Sequence, residues 1–241
     1  PAFELSVLVS LGNELTRMDD FDGAIECLRQ AADLTEEVAD PEHMGAIYWS
    51  LSQAYSGGSR GDPGQARSYA YRAIAAYEQA ENRRLIGQTF NRLGRAYAQS
   101  GQVDEALGQL RAAHDMAVAQ HDARGVAEAQ RSLAMVYLRE QRIDEAAQAA
   151  QTALERAEGT GDARQRADSL LVFAQVQEQR GDASAAERNF SQAIELLRDA
   201  EPTERLREAY AQFSEFLERH GESKRAYEML KNAYHSSGRG V

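Results

Sequence analysis

The sequence predicts an all-α protein, a right-handed superhelical solenoid of six antiparallel helix-pair repeats. Three observations predict it. A pattern of small and large apolar residues returns about every forty residues, small residues recur where two helices must cross, and helix start and stop signals keep step with both. The repeats are about residues 2–39, 40–81, 82–121, 122–161, 162–201 and 202–235, a single array over 1–235, with 236–241 expected as a disordered tail.

The repeats are read in order by their first helix, A, and second helix, B. The first carries Leu11, Gly12 and Leu15 on A, then Ala24 and Ala31 on B. The second opens on Asp40-Pro41, a capping residue followed by a proline that needs no amide donor. It continues with Leu51, Ser52 and Tyr55, and its B helix opens on Asp62-Pro63 before Ala66 and Ala73. Its turn, SGGSRGDPGQ over 56–65, reads as a two-residue insertion, and the Arg60-Gly61-Asp62 tripeptide within it as chance. The third repeat has Asn82 as cap, then Leu93, Gly94, Tyr97, Ala106 and Ala113. The fourth has Asp122, Leu133, Ala134, Tyr137, Ala146 and Ala153, and the fifth Asp162, Phe173, Ala174, Gln177, Ala186 and Ala193. The sixth has Pro202, Phe213, Ser214, Leu217, Ala226 and Ala233. Helices packed about 8–10 Å apart leave no room for a large side chain at the crossing, which explains the small residue on each helix. Leu110, Phe190 and Leu230 are expected to fill the space beside the crossing. Gly101, Gly181 and Gly221 suit a left-handed cap between A and B. Asp19 and Gln141 take that place in two repeats, where a strained or different turn is expected.

The totals exclude several function classes. Lys plus Arg is 27 against 38 Asp plus Glu, a net charge of −11, which argues against direct nucleic-acid binding, since phosphate contacts need clustered cations. A single cysteine, Cys27, forms no internal disulfide; it reads as a small buried helix residue and fits a reducing, cytoplasmic setting. No apolar run approaches membrane-spanning length and no secretory leader is visible. No metal or cofactor is expected. His114 and His121, placed two turns apart on one B helix, are too far apart to share an ion. No acid–base or nucleophile set stands out, so no enzyme is expected.

The Leu-Gly-x-x-Tyr of helix A and the Ala-x-x-x-Phe of helix B resemble the tetratricopeptide repeat, over about residues 2–235, with a period of 40 rather than 34. Such longer repeats occur in polarity adaptors and in bacterial regulators of the Rap and PlcR type. YEQAENRRLIGQTFNRLG is also similar to the sensory half of bacterial helix-turn-helix regulators. The resemblance implies a protein- or peptide-binding scaffold whose A helices line a concave groove. The alternative it implies is the sensory, regulatory or dimerising half of such a regulator.

Helical period and resemblance together place Asn13, Trp49, Gln53, Asn91, Arg92, Arg95, Arg131, Met135 and Arg139 in that groove. Its arginines would gather at the centre, and Asp168, Glu178, Glu208, Glu215 and Glu218 toward the C-terminal end. Arginine grips carboxylates through a planar fork, so the expected partner is an acidic segment or a C-terminal carboxylate. The competing reading pairs these arginines with Glu128 and Asp168 as a solvated surface. Trp49 is expected either as an exposed anchor or packed between neighbouring A helices. The last helix, SKRAYEMLKNAYH, shows Tyr227, Met229, Leu230 and Tyr234 with no solvating helix after it. That end is expected to pair with its copy or to dock another domain.

Overall fold

The computed structural model describes residues 2–38, 40–57, 61–199 and 204–235. These form α1 (Ala2–Arg17), α2 (Phe21–Val38), α3 (Pro41–Ser56), α4 (Pro63–Gln79), α5 (Arg83–Gln99), α6 (Val103–Ala119), α7 (Ala123–Arg139), α8 (Ile143–Glu158), α9 (Ala163–Gln179), α10 (Ala183–Asp199), α11 (Glu204–Arg219) and α12 (Ser223–His235), with no strand among the described residues. Pro1, Arg60, Pro202 and the expected tail at 236–241 lie outside them. The helices alternate A and B as expected, and the chain divides into two compact units, Pro1–Met116 and Ala117–Val241.

The turns are more regular than the sequence indicates. Asp19, Glu81, Gly101, His121, Gln141, Gly161, Gly181 and Gly221 all hold a left-handed backbone, with φ from 54° to 83°. The following amide reaches back over the turn: Gln102 N–H donates to the Tyr97 carbonyl, Arg142 to Tyr137, Asp182 to Gln177 and Glu222 to Leu217, each at 2.9 Å. This is the Schellman closure of a helix C-terminus. Gln141 and Asp19 therefore make the same turn as the glycines, with the strain expected of a side chain at positive φ. His121 sits in such a turn, past the end of α6, and not on a helix with His114.

Side-chain caps follow at once. Asp40 accepts from the amides of Glu42 and His43, Asp62 from Gly64 and Gln65, Asn82 from Leu85, Asp122 from Gly125 and Asp162 from Gln165. Asp20 and Asp182 do the same for two B helices, accepting from Gly23 and Ala185.

In the first unit, α1 packs on α2, α3 on α4, and α2 and α4 each on the next A helix. The crossings are as tight as the small residues imply. A Cβ at Gly12 would stand 2.6 Å from Leu28 Cγ, and one at Gly94 would stand 2.6 Å from Leu110 Cγ and 3.0 Å from the Ala106 carbonyl. In the second unit α7–α8, α9–α10 and α11–α12 pair likewise. Ala134, Ala174 and Ser214 take the crossing, and the Ser214 hydroxyl donates to the Ala226 carbonyl at 2.8 Å. Leu110 and Phe190 are fully buried, but Leu230 is not: it is 52% exposed. Cys27 is half-buried rather than enclosed.

Candidate functional site

Each unit has a hollow of its own. That of the first measures about 740 Å³ and lies against α3, α5, the start of α4 and the turn after α5. Trp49, Gln53, Arg92 and Arg95, all expected at a binding surface, line it together, joined by Tyr55, Arg67, Tyr97 and Gln102. Among the described residues its wall holds three arginines and no carboxylate.

The helical register explains the arrangement. Arg92 and Arg95 lie one turn apart on α5 and point away from the buried Leu93 and Gly94. Trp49 wedges against the apolar residues of α3 and α5 and is partly buried, with the Arg92 guanidinium carbon 5.1 Å from its ring centre. It is therefore packed between neighbouring A helices, and a cation covers one face of its ring, a contact worth about 0.5–1 kcal/mol at exposed sites. Arg67 lies 6.0 Å from the Tyr97 ring centre and donates to Gln102 at 3.3 Å. Arg95 pairs with no carboxylate among the described residues. On α4 a hydrogen bond with Tyr97, reinforced by burial, pushes the Tyr71 phenol up to about 12.

The second unit's hollow, about 480 Å³, contains Met135 and Arg139 together with Gln175, Glu178, Gln212, Glu215 and Arg219. Met135 is exposed, as a surface residue should be. The charges here are largely balanced. Arg219 donates to both oxygens of Glu178 at 2.9 Å, and His220 Nε2 lies 3.4 Å from the same carboxylate. The hydrogen bond to Glu178 is the chief reason that the Arg219 pKa rises. Asp168 is held similarly, by Arg205 at 2.5 Å and Arg131 at 3.9 Å. Burial opposes the charge of Arg205, but bonding to Asp168 and then to Glu208 outweighs it, and its pKa is raised.

The remaining expected residues separate. Asn13 is exposed on α1 and lines neither hollow. Asn91 is buried at 3% exposure, at the helix A position that Trp49, Arg131 and Leu171 take in other repeats. The Arg131 side chain is 14% exposed and belongs to the Asp168 ion cluster. The acidic end expected of the groove is in part neutralised by Arg205 and Arg219, which the helix A pattern overlooked. Arg67 follows the small residue Ala66 on helix B, whereas the expected lining residues all belong to helix A. On α12, Tyr227, Leu230 and Tyr234 are exposed, while Met229 turns inward against the α11–α12 core.

The chain matches a family model described as tetratricopeptide repeat over residues 3–79, 85–159 and 125–199. Among curated proteins none matches. Solved structures share the fold at low identity. BtubC (BKLC) from P. vanneervenii is similar with a TM-score of 0.74 and 16% identity, over 92% of this chain and 93% of that one. A signal transduction ATPase with a tetratricopeptide repeat sensor from Pyrococcus horikoshii gives 0.71 and 13%, over 96% of this chain but only 36% of that one. A Rap protein complexed with competence and sporulation factor gives 0.66 and 14%, over 98% and 77%. No helix among the described residues is long and apolar enough to cross a membrane.

Proposed function

The chain belongs to the tetratricopeptide repeat family, and from that premise we propose that it is a non-catalytic protein-interaction scaffold whose first unit takes up a carboxylate-bearing peptide segment. The observation that carries this reading is the wall of the first hollow: Arg67, Arg92 and Arg95 without a carboxylate, in a chain whose net charge is −11. Cations gathered against the sign of the whole molecule, with Arg95 unpaired among the described residues, favour an anionic guest. Gln53 and Gln102 supply donors and acceptors for a peptide backbone, and the Trp49 and Tyr97 rings supply apolar contact. The hollow needs little ordering on binding, because its side chains stand on packed helices.

An array of equal-length peptides graded in Glu and Asp content tests this. Retention rises with carboxylate number, falls with added salt, and is lost in the Arg92→Glu, Arg95→Glu double variant. Retention indifferent to both charge and variant refutes the proposal.

A second reading, the sensory half of a larger regulator, is supported by the ATPase whose tetratricopeptide repeat sensor shares the fold and of which this chain spans only about a third. A coding sequence that continues in frame into a DNA-binding or nucleotide-hydrolysing domain supports it. A reading frame without such a domain counts against it.

A further inference from the structure

Two exposed apolar faces include positions that the internal repeats bury or half-bury. On α1, Phe3, Val7 and Leu11 lie along one stripe at 83%, 46% and 45% exposure. Val7 corresponds by repeat register to Ile47, Thr89, Ala129, Ser169 and Ala209, all buried, and Leu11 to the buried Leu51, Leu93, Leu133 and Phe213 and the half-buried Phe173. On α12, Tyr227, Leu230 and Tyr234 are 70%, 52% and 79% exposed. Leu230 corresponds to Leu28, Ala70, Leu110, Ala150 and Phe190, each fully buried, and Tyr234 to the buried Ile74 and Ile194 and the half-buried Ala32, His114 and Leu154. One face lies on an A helix and the other on a B helix.

The junction between α10 and α11 shows how such faces meet. Phe190, at the Leu230 position, stacks on Phe213, at the Leu11 position, with ring centres 5.5 Å apart, and lies 5.3 Å from Phe216. Charge adds a direction. The chain has only two lysines, Lys224 and Lys231, and both lie on α12 beside its exposed face. The α1 face carries Glu4 and Glu14, the latter already bridged to Arg17.

We infer that the α12 face of one copy docks on the α1 face of a second copy, head to tail, and that Leu230 meets Leu11 in the register that Phe190 and Phe213 use within the chain. Such a contact is heterologous: the pair keeps one unused face of each kind, so assembly continues with concentration into rings or open chains. The lysines and glutamates flank the apolar contact and set its orientation, as rim charges do in protein interfaces.

Sedimentation velocity of the 241-residue chain, from micromolar to near-millimolar concentration, reads this directly. The wild type grows past the dimer, and growth weakens in high salt. Leu11→Arg and Leu230→Arg each stop it, and both variants stay folded by circular dichroism because the substituted side chains are exposed. Mixed together, the two variants form a one-to-one dimer and nothing larger, since each retains the face that the other lacks. A wild type that stays monomeric throughout overturns the inference. So does self-association of Leu11→Arg alone, which would show α12 pairing with its own copy, or a mixture of the two variants that does not pair.

Discussion

Replacing Gly94 by alanine tests the repeat packing at one atom. The added Cβ would stand 2.6 Å from Leu110 Cγ, 2.8 Å from Leu110 Cδ2 and 3.0 Å from the Ala106 carbonyl oxygen. Leu110 is fully buried and has no room to retreat, and the backbone of α6 has less. Overpacking of this kind costs about 1–3 kcal/mol, while alanine recovers about 1 kcal/mol of helix propensity over glycine, leaving a net loss of about 1 kcal/mol. Leu110→Ala alone opens a cavity and costs about 2–5 kcal/mol. The double variant recreates the Ala134–Ala150 combination that the fourth repeat already uses, with both residues buried. The clash disappears and the new methyl fills part of the cavity. The double variant should therefore be more stable than the sum of the single losses, by about 1–2 kcal/mol. Urea unfolding of all four proteins, followed by circular dichroism, gives the coupling. Additivity within about 0.5 kcal/mol would mean that residue 94 and residue 110 do not share the crossing, and would refute the packing argument.

Three further outcomes follow from the same geometry. Gln141→Gly should stabilise by about 0.5–1 kcal/mol, because a side chain at φ 59° costs about 1–2 kcal/mol and glycine's added chain entropy returns only part of that; Gly181→Ala, at φ 83° with nothing within 4 Å, should lose a similar amount in thermal melts. Arg131→Glu should destabilise by about 3 kcal/mol, because it sets a carboxylate against Asp168 in a mostly enclosed cluster, whereas Arg95→Glu should change the melting midpoint little, its cost being about 0.5 kcal/mol or less. Tyrosinate absorbance should show Tyr71 ionising only near pH 12, and Tyr97→Phe should bring it down toward the ordinary value of 10.0. The sign follows from a folded pKa above the unfolded one: the stabilisation by this hydrogen bond is complete below about pH 10 and is lost as pH rises through about 12.

Radial position was legible in the sequence, while lateral partnership was not. The recurrence of Leu51, Leu93, Leu133 and Phe213 one place before a small residue was enough to place the helix pairs, since 3.6-residue periodicity fixes which side of a helix is buried. The same periodicity put Arg92 and Arg95 on a surface. It failed at Asn91, which is buried, and at Arg131, which meets Asp168 of the next A helix 37 residues away in sequence. It failed again at Asp168 and Glu178, because the arginines that hold them, Arg205 and Arg219, come from α11 at separations of 37 and 41 residues. Long flexible side chains choose such partners through rotamers, which leave no periodic trace. The left-handed turns at Glu81 and His121 were hidden for a different reason: the closing hydrogen bonds hold the backbone there even without glycine.

The claim at the centre of the account is that the first unit's hollow accepts carboxylates, and Trp49, the chain's single tryptophan, reports on it from within. Its fluorescence should be followed while a peptide of alternating Glu and Leu is added, and again with the twin in which every Glu is Gln and the C-terminus is amidated. A saturable change is expected with the acidic peptide, weakened by salt and abolished in Arg95→Gln, and none with the neutral twin. Indistinguishable titrations of the two peptides would contradict it.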